Sequence, residues 1–226
     1  MVKYYEDELH VAHKKMVCLY NDIDINRFVK GTHEDKIKLR KELNLPEDAK
    51  IVLFIHRLTP VKRFSNFIPA IAENENARKN NVYYVVIGGG PEEELVKRNV
   101  NNSPYKDRIK LLGARPNAEV QKFYAGSDVF VNPSYSEGFP RVVIEAMSAG
   151  LPVVVTDVGG TKDILPEEQK EYLLDKDDVN GFREKIIELI MSTDKCQELS
   201  KINKKYVERY STVNVAKQYI EKIWKK

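Results

Sequence analysis

Two glutamates eight residues apart, Glu137 and Glu145, sit in the run Pro133-Ser-Tyr-Ser-Glu-Gly-Phe-Pro-Arg-Val-Val-Ile-Glu-Ala-Met-Ser-Ala-Gly150. On a helix this spacing spans at most about 12 Å, comparable with the reach of a diphosphate between two sugars, so each carboxylate could accept a sugar hydroxyl on its own side. Gly138 and Phe139 would open that helix, where unpaired N–H groups and the positive dipole end suit an anion, and the missing side chain of Gly138 permits close approach. The simpler reading makes Glu137 a helix-dipole partner and Glu145 part of a solvated face. Two further runs bear on the choice. His56-Arg57-Leu-Thr-Pro-Val-Lys62-Arg63 offers fixed and flexible cations for a phosphate. Gly88-Gly89-Gly90-Pro91 forms a turn that can lie flat against a planar ligand. Taken singly, a cation pair is surface solvation and a glycine turn is a turn.

The elements that must carry these residues bring them together. From residue 51 onward, short β-branched runs alternate with segments of helical period, the pattern of βα units around a buried parallel sheet. The expected strands are Ile51–Ile55, Val82–Ile87, Ile109–Leu112, Asp128–Asn132 and Val153–Thr156, with Tyr172–Leu174 at an edge and Val17–Tyr20 as one more candidate. The expected fold is therefore α/β, a doubly wound, Rossmann-like sheet closed by C-terminal helices. All three chemical runs follow strands, at the carboxyl edge where open α/β sheets bind ligands. Phe64, Phe67, Ile68, Ile71 and Ala72 stripe one helix. Pro116 is expected at the first position of the next, with Gly126 as its C-cap. A helix from about Pro140 should end at Gly150. After residue 178 two or three helices follow, striped by Val179, Phe182, Ile186, Ile187 and Ile190, and finally by Ala216, Tyr219, Ile220, Ile223 and Trp224. That last stripe either packs on this domain or docks elsewhere.

The 226 residues suffice for one large domain with a sizeable core. Lysine and arginine number 37 against 34 acids, a net +3, with no basic block, so nucleic acid is not an expected partner. Cys18 and Cys196 are far apart and lack ligand spacing, which argues for reduced thiols and against zinc. No apolar run reaches the length of a membrane span, and the first residues do not read as a signal peptide. A cytoplasmic location is expected, with any membrane role peripheral. The P-loop signature is absent, and no G-x-G-x-x-G opens a helix after the first strand, which disfavours a dinucleotide oxidoreductase.

The run P-S-x-x-E-G-F-P-x-x-x-I-E-A-M-x-A-G-x-P-V-V resembles the signature of retaining glycosyltransferases of GT-B architecture, specifically the large family four of nucleotide-sugar transferases. Arg57 with Lys62 is similar to that family's phosphate-binding R-x(4)-K. Tyr20-Asn-Asp-Ile-Asp24 with Phe28 is similar to the run leading into its second domain. Gly88-Gly-Gly-Pro91, Leu112-Gly113 and Val158-Gly-Gly160 match weaker markers. The resemblance covers roughly residues 17–226. It implies that Arg57 and Lys62 hold the donor diphosphate and that Glu145 binds the ribose hydroxyls. Glu137, the catalytic candidate, would engage the donor sugar with Gly138, Phe139 and Pro140. Gly88, Gly89 and Gly90, with the turn at Ala114-Arg115, would flank the base. The implied substrate is a UDP-sugar or GDP-sugar; no cofactor and no metal are expected.

His56 stands where the family usually has glycine before the arginine, and Arg63 where it has glycine after the lysine. His56 could clash with a phosphate or donate to it. The resemblance starts at the second domain, so residues 1–16 are expected to be a leftover interdomain connection, 17–210 the nucleotide-sugar-binding domain and 211–226 the closing helix. An N-terminal acceptor domain, in cis or in trans, is the implied partner. The implied acceptor is a glycan or a lipid-linked acceptor, and a lipid-linked one would bring the chain to the membrane surface as a peripheral protein. The rival class is a non-catalytic nucleotide-binding or assembly module.

Overall fold

A computed structural model describes residues 6–10, 12 and 16–224. It contains a six-stranded, all-parallel sheet built from β1 (Lys50–Ile55), β2 (Val82–Ile87), β3 (Ile109–Leu111), β4 (Val129–Asn132), β5 (Val153–Thr156) and β6 (Leu173–Leu174). Their spatial order is β3-β2-β1-β4-β5-β6, so the winding reverses between β1 and β4. The helices are α1 (His33–Glu42), α2 (Phe64–Ala72), α3 (Glu75–Lys79), α4 (Glu93–Asn101), α5 (Asn117–Gly126), α6 (Arg141–Ser148), α7 (Val179–Met191), α8 (Thr193–Val207) and α9 (Thr212–Tyr219), the last running into a π-helical turn, Ile220–Trp224.

Because strand side chains alternate, each apolar run feeds two cores. Ile51 and Leu53 of β1 join Leu39, Phe123, Tyr124, Ile144 and Met147 on one face. Val52 and Phe54 join Phe67, Ile68, Val96, Phe182 and Leu199 on the other. The sheet is thus sandwiched as expected of doubly wound α/β architecture.

Two expectations need correcting, and one open alternative is decided. Val17–Tyr20 is not a strand; the neighbouring chain makes only an isolated parallel bridge, Ile23 to Ser211. Pro116 is the N-cap of α5, and Gly126 is its last residue with Ser127 as the cap. Gly126 instead serves helix packing, because a Cβ there would lie 2.4 Å from Leu39 Cδ2 of α1. The C-terminal stripe does not pack on the domain. Val215 is buried, but Tyr219, Ile220 and Ile223 are exposed and Trp224 is 85% exposed. Polar contacts hold this end: Thr212 Oγ1 donates to Asp22, and Lys222 Nζ to the carbonyl of Cys18. Most of the expected connection at 1–16 lies outside the described residues.

Candidate active site at the sheet's switch point

The loops after β1 and β4 emerge on either side of the point where the winding reverses, and the crevice between them is the natural ligand site of such a sheet. They are stitched together where the Tyr135 N–H donates to the Val61 carbonyl at 2.8 Å. Across the crevice, Lys62 Nζ lies 2.8 Å from Glu137 Oε1. Asn132, the last residue of β4, donates to the same oxygen at 3.0 Å, and His56 Nε2 stands 3.4 Å from it. Asn132 is held in turn by the Ser134 hydroxyl, which donates to its Oδ1 at 2.8 Å. Burial alone would push the Glu137 carboxyl up, but donors from His56, Lys62, Ser134 and Asn132 outweigh it and bring it down to about 2. Glu137 is therefore a fixed carboxylate near neutral pH. It can accept a hydroxyl or oppose positive charge, and it cannot serve as a proton donor.

Glu145, two-thirds of the way along α6, is governed by the opposite balance. Burial raises its carboxyl, against the lowering effects of the Tyr124 hydroxyl, Arg141, Arg27 and His56. Tyr124 donates to its Oε2 at 3.0 Å. Glu145 lines an open cavity of about 340 Å³ together with Arg57, Gly88, Gly89, Ala114 and Arg115. The structure thus assembles one cavity from four separate sequence runs. Lys62 and Glu137 adjoin it through His56, which lines it as well.

Gly90 does not line this cavity, and the glycines at 88 and 90 answer first to the backbone. Gly88 (φ +151) would place a Cβ 1.8 Å from the His56 carbonyl oxygen, and Gly90 (φ +155) one 2.4 Å from that of Leu58. The turn is pinned there, with Leu58 N–H donating to the Gly89 carbonyl and Gly88 N–H to that of Gly113. Phe139 anchors its loop by stacking on Tyr20 and meeting the edge of Tyr210, both 5.8 Å between ring centroids. Pro140 is the buried N-cap of α6, and Gly138 is exposed with nothing within 4 Å of a would-be Cβ.

His56 turns inward: its Nδ1 accepts the Arg57 N–H at 3.0 Å, which leaves Nε2 facing Glu137. Arg63 occupies the left-handed region, φ 67 and ψ 11, where glycine costs least. Its guanidinium lies over the rings of Phe67 and Tyr135, 4.9 and 4.8 Å from their centroids. Three contributors lie outside the set of site residues that the sequence points to. Asn132 was visible only as a polar end to an apolar strand. Ser134 carried no signal beyond its place in the signature. Gly159 lies in the weaker marker Val158-Gly-Gly160; a Cβ there would lie 1.7 Å from the Glu137 carbonyl oxygen, so the loop after β5 backs the Glu137 turn directly.

A doubly wound sheet with this carboxylate-and-cation corner at its switch point has the fold of GT-B glycosyltransferases. Residues 35–206 match the family described as Glycosyl transferases group 1, and the chain belongs to that family. A D-inositol 3-phosphate glycosyltransferase of Corynebacterium urealyticum is 27% identical over 222 residues, 95% of this chain and 52% of that protein. The structure of Anabaena Alr3699/HepE in complex with UDP-glucose superposes with a TM-score of 0.78 at 25% identity, covering 92% of this chain and 57% of that one. The C-terminal domain of the group 1 glycosyl transferase LpcC of Francisella tularensis is 21% identical, with a TM-score of 0.71, and the match covers 84% of this chain and 99% of that domain. The chain spans from 34% to 54% of the length of the first curated relatives it matches. Among the described residues, no helix is long and apolar enough to cross a membrane, and no three His, Cys, Asp or Glu side chains gather to hold a metal.

Proposed function

We propose that this chain binds the nucleotide-sugar donor of a retaining glycosyltransferase. The observation that carries the reading is the single cavity shared by Arg57, the glycine turn, Arg115 and Glu145, with the Lys62–Glu137 pair at its side. Arg57 and Lys62 would hold the diphosphate of a UDP-sugar or GDP-sugar. Lys62 is parked on Glu137, and donor binding would draw its ammonium onto phosphate and free a Glu137 oxygen for a sugar hydroxyl. Glu145 would take the ribose hydroxyls, and the flat Gly88–Gly89 backbone with Arg115 would flank the base. Negative charge grows on the departing nucleoside diphosphate, and fixed cations and the Gly138 and Phe139 amides stabilise it most as the bond breaks. This scheme routes no step through a metal. The UDP-glucose bound by Alr3699/HepE supports a donor of this class.

Residues 17–210 would form the donor domain and 211–226 its closing helix. The acceptor, a glycan or lipid-linked glycan, would be held by an N-terminal GT-B domain in cis or in trans, with the chain in the cytoplasm and at most peripheral at the membrane. The test is a thermal-shift and calorimetric screen with UDP, GDP, ADP and NAD, followed by transfer assays with and without a co-expressed N-terminal domain. A diphosphate preference and turnover only with the second domain would support the proposal. No shift with any nucleotide would favour a non-catalytic assembly role. Multiple turnovers by the chain alone would refute the placement of the acceptor site, since positioning supplies about 7–11 kcal/mol of barrier reduction.

A further inference from the structure

We propose that a second cavity, at the amino edge of the sheet, is a site for a small phosphate monoester with a short apolar tail. This cavity, about 270 Å³, shares no lining residue with the donor crevice. It opens where β1, β4 and β5 begin, so the depth of the sheet separates the two. Lys30, Lys36 and Lys50 line it, contributed by the loop before α1, by α1 and by the first residue of β1. The stem of Lys204, which is outside the lining itself, passes close to Gly150. A Cβ built on Gly150 would lie 2.6 Å from Ser200 Oγ, 3.5 Å from Lys30 Cδ and 3.6 Å from Lys204 Cδ. Gly150, left-handed at φ +74, has no Cβ to fill the space these groups share.

The charge balance is what points to an anion. Asp128 is the one acid among the lining residues. Its carboxylate is already answered by Lys36 at 2.6 Å, Arg40 at 2.7 Å and the Ile51 N–H at 2.8 Å. Ion pairs among the described residues engage Lys36 but none of Lys30, Lys50 and Lys204. Two unpaired lining cations from two elements, Lys30 and Lys50, are thus left at the opening beside the buried Ser200 hydroxyl, with the Lys204 stem nearby. Several ammonium groups approaching from different directions suit a compact dianion, whereas a planar carboxylate is better matched by the arginine fork, which the cavity lining lacks. The same lining includes the apolar residues Ala149, Leu151, Pro152, Leu189 and Ile190, which suit a short hydrocarbon body.

Cys196 lines the same cavity, its thiol donating to the Leu189 carbonyl at 3.0 Å, and so reports on occupancy without any mutation. Cys18 is exposed and serves as the internal reference. Burial pushes the Cys196 thiol up to about 11, so alkylation is run near pH ~9 to obtain a measurable thiolate fraction. The probes are inorganic phosphate and hexyl phosphate, titrated by calorimetry at low salt. The expected result is that hexyl phosphate binds about tenfold more tightly than phosphate, the gain from burying about two methylenes. It should slow alkylation of Cys196 but not of Cys18. The Lys30→Ala/Lys50→Ala double variant, altered only at exposed side chains, should bind it about tenfold more weakly. Three results would overturn the proposal: no binding up to about 10 mM, a Cys196 alkylation rate that hexyl phosphate leaves unchanged, or undiminished affinity in the double variant.

Discussion

Replacing Glu137 by Gln keeps the side chain's shape and removes its charge, and so measures how strongly the corner's donors hold a carboxylate. One oxygen meets Lys62 at 2.8 Å, Asn132 at 3.0 Å and His56 at 3.4 Å, on a side chain only 7% exposed. The folded value of about 2 lies below the ordinary 4.5, so the ionised form stabilises the fold. At about 1.36 kcal/mol per pH decade, this gap amounts to at most ~3 kcal/mol at neutral pH. Because the folded value is the lower one, the contribution is complete above the unfolded value and is lost as pH falls toward 2. By pH 3, about 2 kcal/mol of it has gone. Glu137→Gln should therefore be about 2–3 kcal/mol less stable than the parent at pH 7, and the difference should shrink to ~1 kcal/mol at pH 3. Urea unfolding followed by circular dichroism at both pH values reads this directly. Equal stabilities at pH 7, or a deficit that does not change with pH, would refute the reasoning.

Arg57→Ala should weaken UDP binding by about 1–3 kcal/mol, the range for a charge-assisted contact, and calorimetry that finds no loss would remove Arg57 from the site. The two glutamates should separate in one pair of titrations: Glu145→Gln weakens free UDP, whereas Glu137→Gln acts chiefly on the UDP-sugar. Gly159→Ala meets the Glu137 carbonyl at 1.7 Å with φ +54, so its melting temperature should drop sharply. Gly138→Ala, with open space around it, should melt within a degree or two of the parent and show its effect in donor binding instead.

The central sheet was legible because the β-branched runs of β1, β2, β4 and β5 are buried on both faces, and the structure keeps β1, β2 and β5 within a residue of the expected bounds. The stripe Phe64, Phe67, Ile68, Ile71 and Ala72 was legible for the same reason, every member being buried in one core. Helix α1 escaped notice because its run HEDKIKLRKE buries only Leu39 and Arg40, too little for a periodic apolar signal. The final helix shows the opposite limit: an apolar stripe specifies a face that wants cover without saying what covers it, and nothing in the described residues covers Trp224. At the site, residue types that can bind anions were readable, but their mutual contacts were not. That Lys62 rests on Glu137, or that Gly88 is required by His56, depends on loops 30 to 80 residues apart in sequence meeting at one sheet edge. Asn132 shows the same limit, since a polar residue ending a strand is ordinary until its neighbour across the turn proves to be a buried carboxylate.

The central claim is that a nucleoside diphosphate binds in the crevice between the ends of β1 and β4. The most direct measurement is a titration of the isotopically labelled chain with UDP, following backbone amide resonances. Saturable shifts should concentrate at Arg57, Gly88, Gly89, Arg115, Gly138 and Phe139. The absence of any saturable shift, or shifts confined to the opposite edge around Lys50 and Ser200, would contradict it.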